Sequence, residues 1–151
     1  MIEELKVENI NEIMEIWKKA TIDAHKFIPK GYWIKNYNVV KEVYIPMAKT
    51  FVYIEEEKII GFISIIEDEF IGALFIDVNY QSMGVGTKLI EFAKEKYNKL
   101  SLAVYVENNK AVEFYKRCGF VIESTGANED SGYEEFVMTW VSEIYPLSPK
   151  D

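Results

Sequence analysis

The spacing of apolar residues changes period in the middle of this 151-residue chain, and the change restricts the folds open to it. Near the N-terminus the pattern is helical, with Ile10, Ile13, Met14 and Trp17 recurring on one face. From Thr50 the run "TFVYIEEEKIIGFISII" switches to two strands joined by a tight charged turn at Glu55–Lys58. A second turn at Glu67–Glu69 leads to a third strand at Ile71–Val78. "YQSMGVGTKLI" then opens a helix from Val85, with Leu89, Ile90, Phe92 and Ala93 as its apolar positions, ending near Tyr97. "LSLAVYV" returns to a strand, and "NNKAVEFYKRCGF" to a helix with Gly119 where a C-terminal cap belongs. Phe120–Thr125 and Glu134–Val141 close the chain as strands around the polar loop "GANEDSG". Ahead of these elements, Ile2–Val7 reads as an opening strand and Asn9 with Glu12 as a helix-capping pair. A second helix is expected near Tyr37–Met47, ending around Pro46. The order predicts one mixed α/β domain of the α+β kind over residues 1–145, a central sheet with helices on its faces, and a short tail at 146–151.

Bulk properties exclude several functions. The net charge of −8 argues against non-specific nucleic-acid binding, which needs a basic surface. No apolar run approaches the ~20 residues of a membrane helix, and "MIEELKVENI" does not read as a signal peptide. Cys118 is the one cysteine, so no internal disulfide forms and a reducing, cytoplasmic setting is expected. One histidine and one cysteine offer no structural zinc site, and no metal is expected.

The glycine pair in "QSMGVGTKLI" sits at a strand-to-helix turn, a common place for a bound phosphate. A nucleotide P-loop needs four residues between its glycines and then Lys before Ser or Thr. Here one residue separates Gly84 from Gly86, and Thr87 precedes Lys88, so that reading fails. A dinucleotide fingerprint needs a third glycine where Leu89 stands, although Glu107 occupies the position of a ribose-binding acid. A third reading is a pyrophosphate cradle built from the backbone N–H groups of Ser82–Thr87 and the helix macrodipole. An ordinary turn would use the glycines for geometry alone.

Two stretches in order favour the cradle. Gln81-Ser82-Met83-Gly84-Val85-Gly86, followed after a strand by Asn108 or Asn109, Ala111, Phe114, Tyr115, Gly119 and Phe120, resembles the GNAT superfamily of acetyl-CoA-dependent N-acetyltransferases. The element order is similar along nearly the whole chain. The N-terminal stretch "IWKKATIDAHKFI" resembles small bacterial members of that family.

The resemblance implies a GNAT-like, mostly antiparallel twisted sheet, flanked by helices on both faces and splayed between its fourth and fifth strands. It implies that Leu74, Phe75 and Ile76 bond the pantetheine arm, that Ser82, Met83, Gly84, Val85, Gly86 and Thr87 hold the pyrophosphate, and that Asn108 contacts the CoA arm. Asn108 is equally a good helix cap. Tyr115 would be the general acid that protonates the departing thiolate, since a phenol stays protonated at neutral pH. Transfer would be direct, from acetyl-CoA to a primary amine of a small molecule or peptide through a tetrahedral intermediate, with the Ile76 N–H as oxyanion donor. Cys118 then reads as a small buried residue rather than a nucleophile. Some relatives carry a glutamate base five residues before the asparagine; here that position is Ala103. His25 is the leading candidate base because it titrates near neutrality, with Glu67, Glu69 and Tyr133 as others. Phe27, Tyr32, Trp33, Tyr37 and Tyr44 are candidates for the acceptor wall. The partners implied are acetyl-CoA and an amine, with no nucleic acid and no membrane, in a monomer or homodimer. A non-catalytic acyl-CoA sensor and a dinucleotide oxidoreductase are the competing readings.

Overall fold

In a computed structural model, residues 1–143 are described, so the expected tail at 146–151 lies outside the described residues. A seven-stranded sheet runs in the order β1-β2-β3-β4-β5-β7-β6. Its strands are β1 (Ile2–Glu4), β2 (Lys49–Glu55), β3 (Lys58–Ile66), β4 (Phe70–Ile76), β5 (Lys99–Tyr105), β6 (Val121–Ala127) and β7 (Glu134–Val141). All neighbours pair antiparallel except β4 and β5, which are parallel. The opening strand is shorter than the expected Ile2–Val7, because the chain turns into a 3-10 helix at Val7–Asn9.

Helices cover both faces. On one side lie α1 (Ile10–Ala24) and α2 (Lys30–Val39). The apolar stripe of α1 buries Ile13, Met14, Ile16 and Trp17 against Val52, Ile59 and Phe62 of the sheet. On the other side lie α4 (Val85–Lys96) and α5 (Asn109–Arg117), which bury Leu89, Ile90, Val112 and Tyr115 against Ile63, Leu100, Leu102 and Met138. Period-2 alternation of the strands feeds the two cores: Leu100, Leu102 and Val104 face α4 and α5, whereas Tyr105 faces α1 and α2.

The second helix differs from expectation. It begins at Lys30, passes through a π-helical turn at Val40–Tyr44, and closes as α3 (Ile45–Met47). Trp33 is the one buried residue of α2, so no apolar period marks its start. Pro46 supplies no N–H to the ladder, and the run stops one residue later. Asn9 stands at the N-cap of α1, but its side chain reaches the Glu12 carboxylate (3.4 Å) rather than a backbone N–H.

A two-residue turn joins β2 to β3 and a three-residue turn joins β3 to β4. Both use the left-handed region without glycine: Glu56 (φ 50°) and Glu57 (φ 67°), then Glu67 (φ 54°) and Asp68 (φ 60°). A two-residue turn such as Glu56–Glu57 favours Asn-Gly, and an ordinary L-residue at a positive φ costs about 1 kcal/mol or more. Glu57→Gly should therefore raise unfolding stability in urea by about 0.5–1 kcal/mol and leave catalysis unchanged. Equal or lower stability would contradict the strain assigned to this turn.

Candidate active site

The sheet is open between β4 and β5. Their one paired position is Phe70 with Ser101, where the Ser101 N–H donates to the Glu69 carbonyl at 3.0 Å. The reason lies one pair further along. Ser64 pairs with Ala73 and Ile65 with Ile71, so Gly72 is an extra, bulged residue on β4. A bulge bends the strand that carries it, and β4 parts from β5 at this point. The strand stays bonded to β3 on its other edge. Asp77 donates to Ile60 at 2.8 Å, and Phe75 stands opposite Phe62. By the alternation of an antiparallel ladder, Phe75 bonds to β3 while Leu74 and Ile76 direct N–H and C=O into the gap. The Ile76 carbonyl accepts from Gln81 Nε2 at 3.0 Å. Leu74, Phe75 and Ile76 all line the gap, but the backbone of Phe75 is not available there.

The gap is part of a cleft of about 760 Å³ that draws residues from both layers: Trp17, Trp33 and Tyr105 from one core, Val85, Leu102 and Tyr115 from the other. It therefore passes through the sheet. At the α4 end, Ser82 (φ 66°) and Gly84 (φ 87°) turn the chain so that α4 starts toward the cleft. Gly84 is the N-cap with no side-chain cap bond, and the first turn of α4 holds no acid. Its N–H groups and positive dipole end are available to an anion. The two glycines serve different needs. A Cβ on Gly84 would meet nothing within 4 Å, so its requirement is the positive φ; a Cβ on Gly86 would stand 3.2 Å from the Phe114 ring. Ser82, Gly84, Val85, Gly86 and Thr87 line the cleft. Met83 is two-thirds exposed and stands outside the lining. Lys88 leans away onto the Tyr53 hydroxyl (3.4 Å). Lys110 and Arg117, both on α5, line the cleft and have no ion-pair partner among the described residues.

Asn108 caps α5 and does a second thing. Its Oδ1 accepts from the Ala111 N–H (3.2 Å), so its Nδ2 faces Nε2 of His25 at 3.2 Å. Nε2 must then be the acceptor, and the imidazole proton sits on Nδ1, which donates to the Thr21 carbonyl at 2.8 Å. His25 is buried, and burial pulls its pKa below 6.5, partly opposed by the bond to Thr21. The histidine is thus a neutral bridge between α1 and α5, with both nitrogens engaged.

Tyr115 is 9% exposed and packs between Phe114 and Phe120. Burial, and secondarily Cys118, raise its pKa. No described residue hydrogen-bonds its hydroxyl. A Schellman turn holds the helix end behind it: Gly119 (φ 94°) donates to Lys116 and Phe120 to Tyr115. The Cys118 thiol is buried and its pKa is pushed up, mainly by burial.

Other expected residues fall elsewhere. Glu67 and Glu69 sit at the β3–β4 turn, where Glu69 pairs with Lys99 at 3.7 Å, and neither lines the cleft. Tyr133 packs on Phe27, and both lie behind the wall; Tyr37 packs on Trp17. Tyr32, Trp33 and Tyr44 do form the wall. Residues that sequence patterns did not single out are Tyr105, Asn128 and Glu135, on β5, the β6–β7 loop and β7. Among the described residues no group of His, Cys, Asp and Glu is placed to hold a metal, and no helix is long and apolar enough to cross a membrane.

Comparison with known proteins agrees with this geometry. Residues 46–122 match the acetyltransferase (GNAT) domain. The chain is 30% identical over 140 residues to the peptidyl-lysine N-acetyltransferase YiaC of Escherichia coli, covering 93% of this chain and 96% of that protein. The solution structure of apo YjaB from Escherichia coli superposes with a TM-score of 0.82 at 26% identity, covering 94% and 97% of the two chains. The PaiA N-acetyltransferase of Thermoplasma acidophilum, determined in complex with coenzyme A, has the same fold (TM-score 0.75, 20% identity, 93% and 98% covered).

The lowered pKa of His25 fixes the sign of its pH effect. The fold holds the neutral form, so the contribution to stability is complete above pH 6.5 and is lost as pH falls through the lowered value. His25→Gln should cost about 1–3 kcal/mol at pH 7.5 and flatten the decline of the urea midpoint between pH 7 and 5.5. Parallel declines in variant and wild type would contradict a buried neutral imidazole.

Proposed function

Because the chain belongs to the GNAT acetyltransferase family, we propose that it transfers the acetyl group of acetyl-CoA to lysine side chains of proteins or peptides. N-acetyl transfer is the activity of the family; lysine as acceptor is supported by the peptidyl-lysine relatives. The observation that carries the reading is the cleft through the parted strands, with anion-binding groups at one end and an aromatic wall at the other. We assign the enzyme to the cytoplasm on its single unpaired thiol.

The residues fit acetyl-CoA. The uncapped N-terminus of α4, with Ser82–Thr87, takes the pyrophosphate, and Lys110 and Arg117 add positive charge beside it. The open N–H and C=O groups of Leu74 bond the amide-rich pantetheine arm as a neighbouring strand would, while the Ile76 carbonyl is taken by Gln81. The Ile76 N–H is a fixed donor for the thioester oxygen, a group of the kind worth about 3 kcal/mol or more when charge develops on that oxygen. A neutral lysine amine attacks the carbonyl carbon, the C–S bond breaks, and the Tyr115 hydroxyl protonates the thiolate. The raised pKa of Tyr115 keeps its proton in place until a thiolate appears beside it. His25 serves this site by holding Asn108 and the start of α5, not by taking a proton.

Tyr115→Phe tests the assignment. Acetyl-CoA-dependent thiol release on a lysine-containing peptide should fall about tenfold or more, with acetyl-CoA affinity by calorimetry within about threefold of wild type. Unchanged release would remove Tyr115 as the acid. Binding of acetyl-CoA by wild type without release on any amine would favour the sensor reading over the enzyme.

A further inference from the structure

Among the described residues, Glu135 is the one acid that lines the cleft. Its place is specific. Glu135 stands opposite Tyr105 in the β5–β7 ladder, and paired residues share a face. Tyr105 belongs to the core under α1 and α2, whereas Phe136 packs with the α4/α5 core. Glu135 therefore lies on the α1/α2 side of the sheet, across the gap from Lys110, Arg117 and the N-terminus of α4. One end of the cleft is built for anions and the other carries a single carboxylate.

That carboxylate is held in place and meets no cation among the described residues. Asn128 accepts from the Asp130 and Ser131 N–H groups (both 2.9 Å) through Oδ1, which turns its Nδ2 to Glu135 Oε2 at 3.3 Å. The Asn128 N–H bonds the Tyr133 carbonyl at 2.9 Å and Gly132 bonds back to Asn128 at 2.8 Å, so the loop is braced from within. Glu135 has no ion-pair partner among the described residues. Tyr105 on β5 and Asn128 in the loop are its neighbours, and about Tyr105 stand Asp130 in the loop, Tyr32 on α2 and His25 at the C-cap of α1. Asp130 is occupied by the Tyr32 hydroxyl (2.6 Å), Tyr105 by Ser131 (2.9 Å), and His25 by Asn108 and Thr21. Asp130 and Glu135 each keep one oxygen free of these bonds, but Asp130 is exposed and stands outside the lining, so Glu135 is the acid that presents an oxygen to the cleft.

We propose that Glu135 receives the acceptor's ammonium group and is the general base that deprotonates it, making this end of the cleft selective for cationic primary amines. The inference rests on the acetyltransferase reading above. Glu135 takes one proton from the ammonium. The freed lone pair forms the N–C bond and the C–S bond breaks. Tyr115 gives its proton to the thiolate and recovers one from the acetylated nitrogen. One proton leaves through Glu135 to solvent, which balances an ammonium and a thioester against an amide and a thiol. The missing glutamate at Ala103 is thereby accounted for: Ala103 is also in the lining, paired with Val137 two residues along the same ladder from Glu135 and on the same face.

The test compares wild type, Glu135→Gln and Glu135→Asp with acetyl-CoA and a lysine peptide. Acetyl-CoA affinity by calorimetry should be unchanged within about twofold in both variants, which also shows that they fold. Affinity of the CoA-bound protein for the lysine peptide should drop about fivefold or more in Glu135→Gln, with Glu135→Asp recovering part of it. In Glu135→Gln, kcat/KM at pH 7 should fall about a hundredfold and then climb about tenfold per pH unit toward the lysine pKa of about 10.4, because only free amine reacts. Wild type should change far less over the same range. A Glu135→Gln enzyme with wild-type peptide affinity and pH profile would overturn the proposal while leaving the acetyltransferase intact. A wild type that binds acetyl-CoA and acetylates no amine would overturn the acetyltransferase reading and this proposal with it.

Discussion

The parting of β4 from β5 is the constraint on which the site depends. A sheet between two layers of helices normally separates two cores that cannot communicate. Here the bulge at Gly72 ends the β4–β5 pairing after one position, and the free edges of Leu74 and Ile76 line a passage from one layer to the other. Unpaired backbone groups inside a protein demand partners. A substrate arm carrying amides meets that demand, and its two ends then emerge on opposite faces, among different residues.

Each end has its own electrostatics. On the α4/α5 side, the helix dipole and two cations without an ion-pair partner among the described residues suit the pyrophosphate proposed there, in a protein whose overall charge is −8. On the α1/α2 side the wall is aromatic, with the one carboxylate that lines the cleft among the described residues. Between them, His25 and Asn108 tie α1 to the first turn of α5. The tie fixes the helix that carries Tyr115 relative to the helix that borders the acceptor. One buried hydrogen-bonded histidine thus registers the two halves of the site with each other.

Most of the fold was legible in the sequence because the strands and the amphipathic helices α1 and α4 bury whole faces. The start of α2 was not, since Trp33 is its lone buried residue and Gly31 and Tyr32 carry no helical signal. The glycine turn could be read as a candidate anion site, but not the division of labour in which Gly84 supplies a positive φ and Gly86 gives room to Phe114. Tyr115 and Asn108 could be named from the resemblance of their motif to that of the acetyltransferase family. His25 could be named as the one histidine but not as a bridge, because its partner lies 83 residues away. Glu135 was invisible for a related reason: acids are abundant in this chain, and only the β5–β7 register shows which one turns toward the cleft.

The most direct measurement is an amide NMR titration of the protein with acetyl-CoA. The account predicts the largest shifts at the N–H groups of Leu74, Ile76 and Ser82–Thr87, smaller ones near Asn108, and little change in β1 and β2. Saturable shifts confined to other surfaces, with the amides of Leu74 and Ile76 unmoved, would contradict the claim that the parted strands hold the acyl donor.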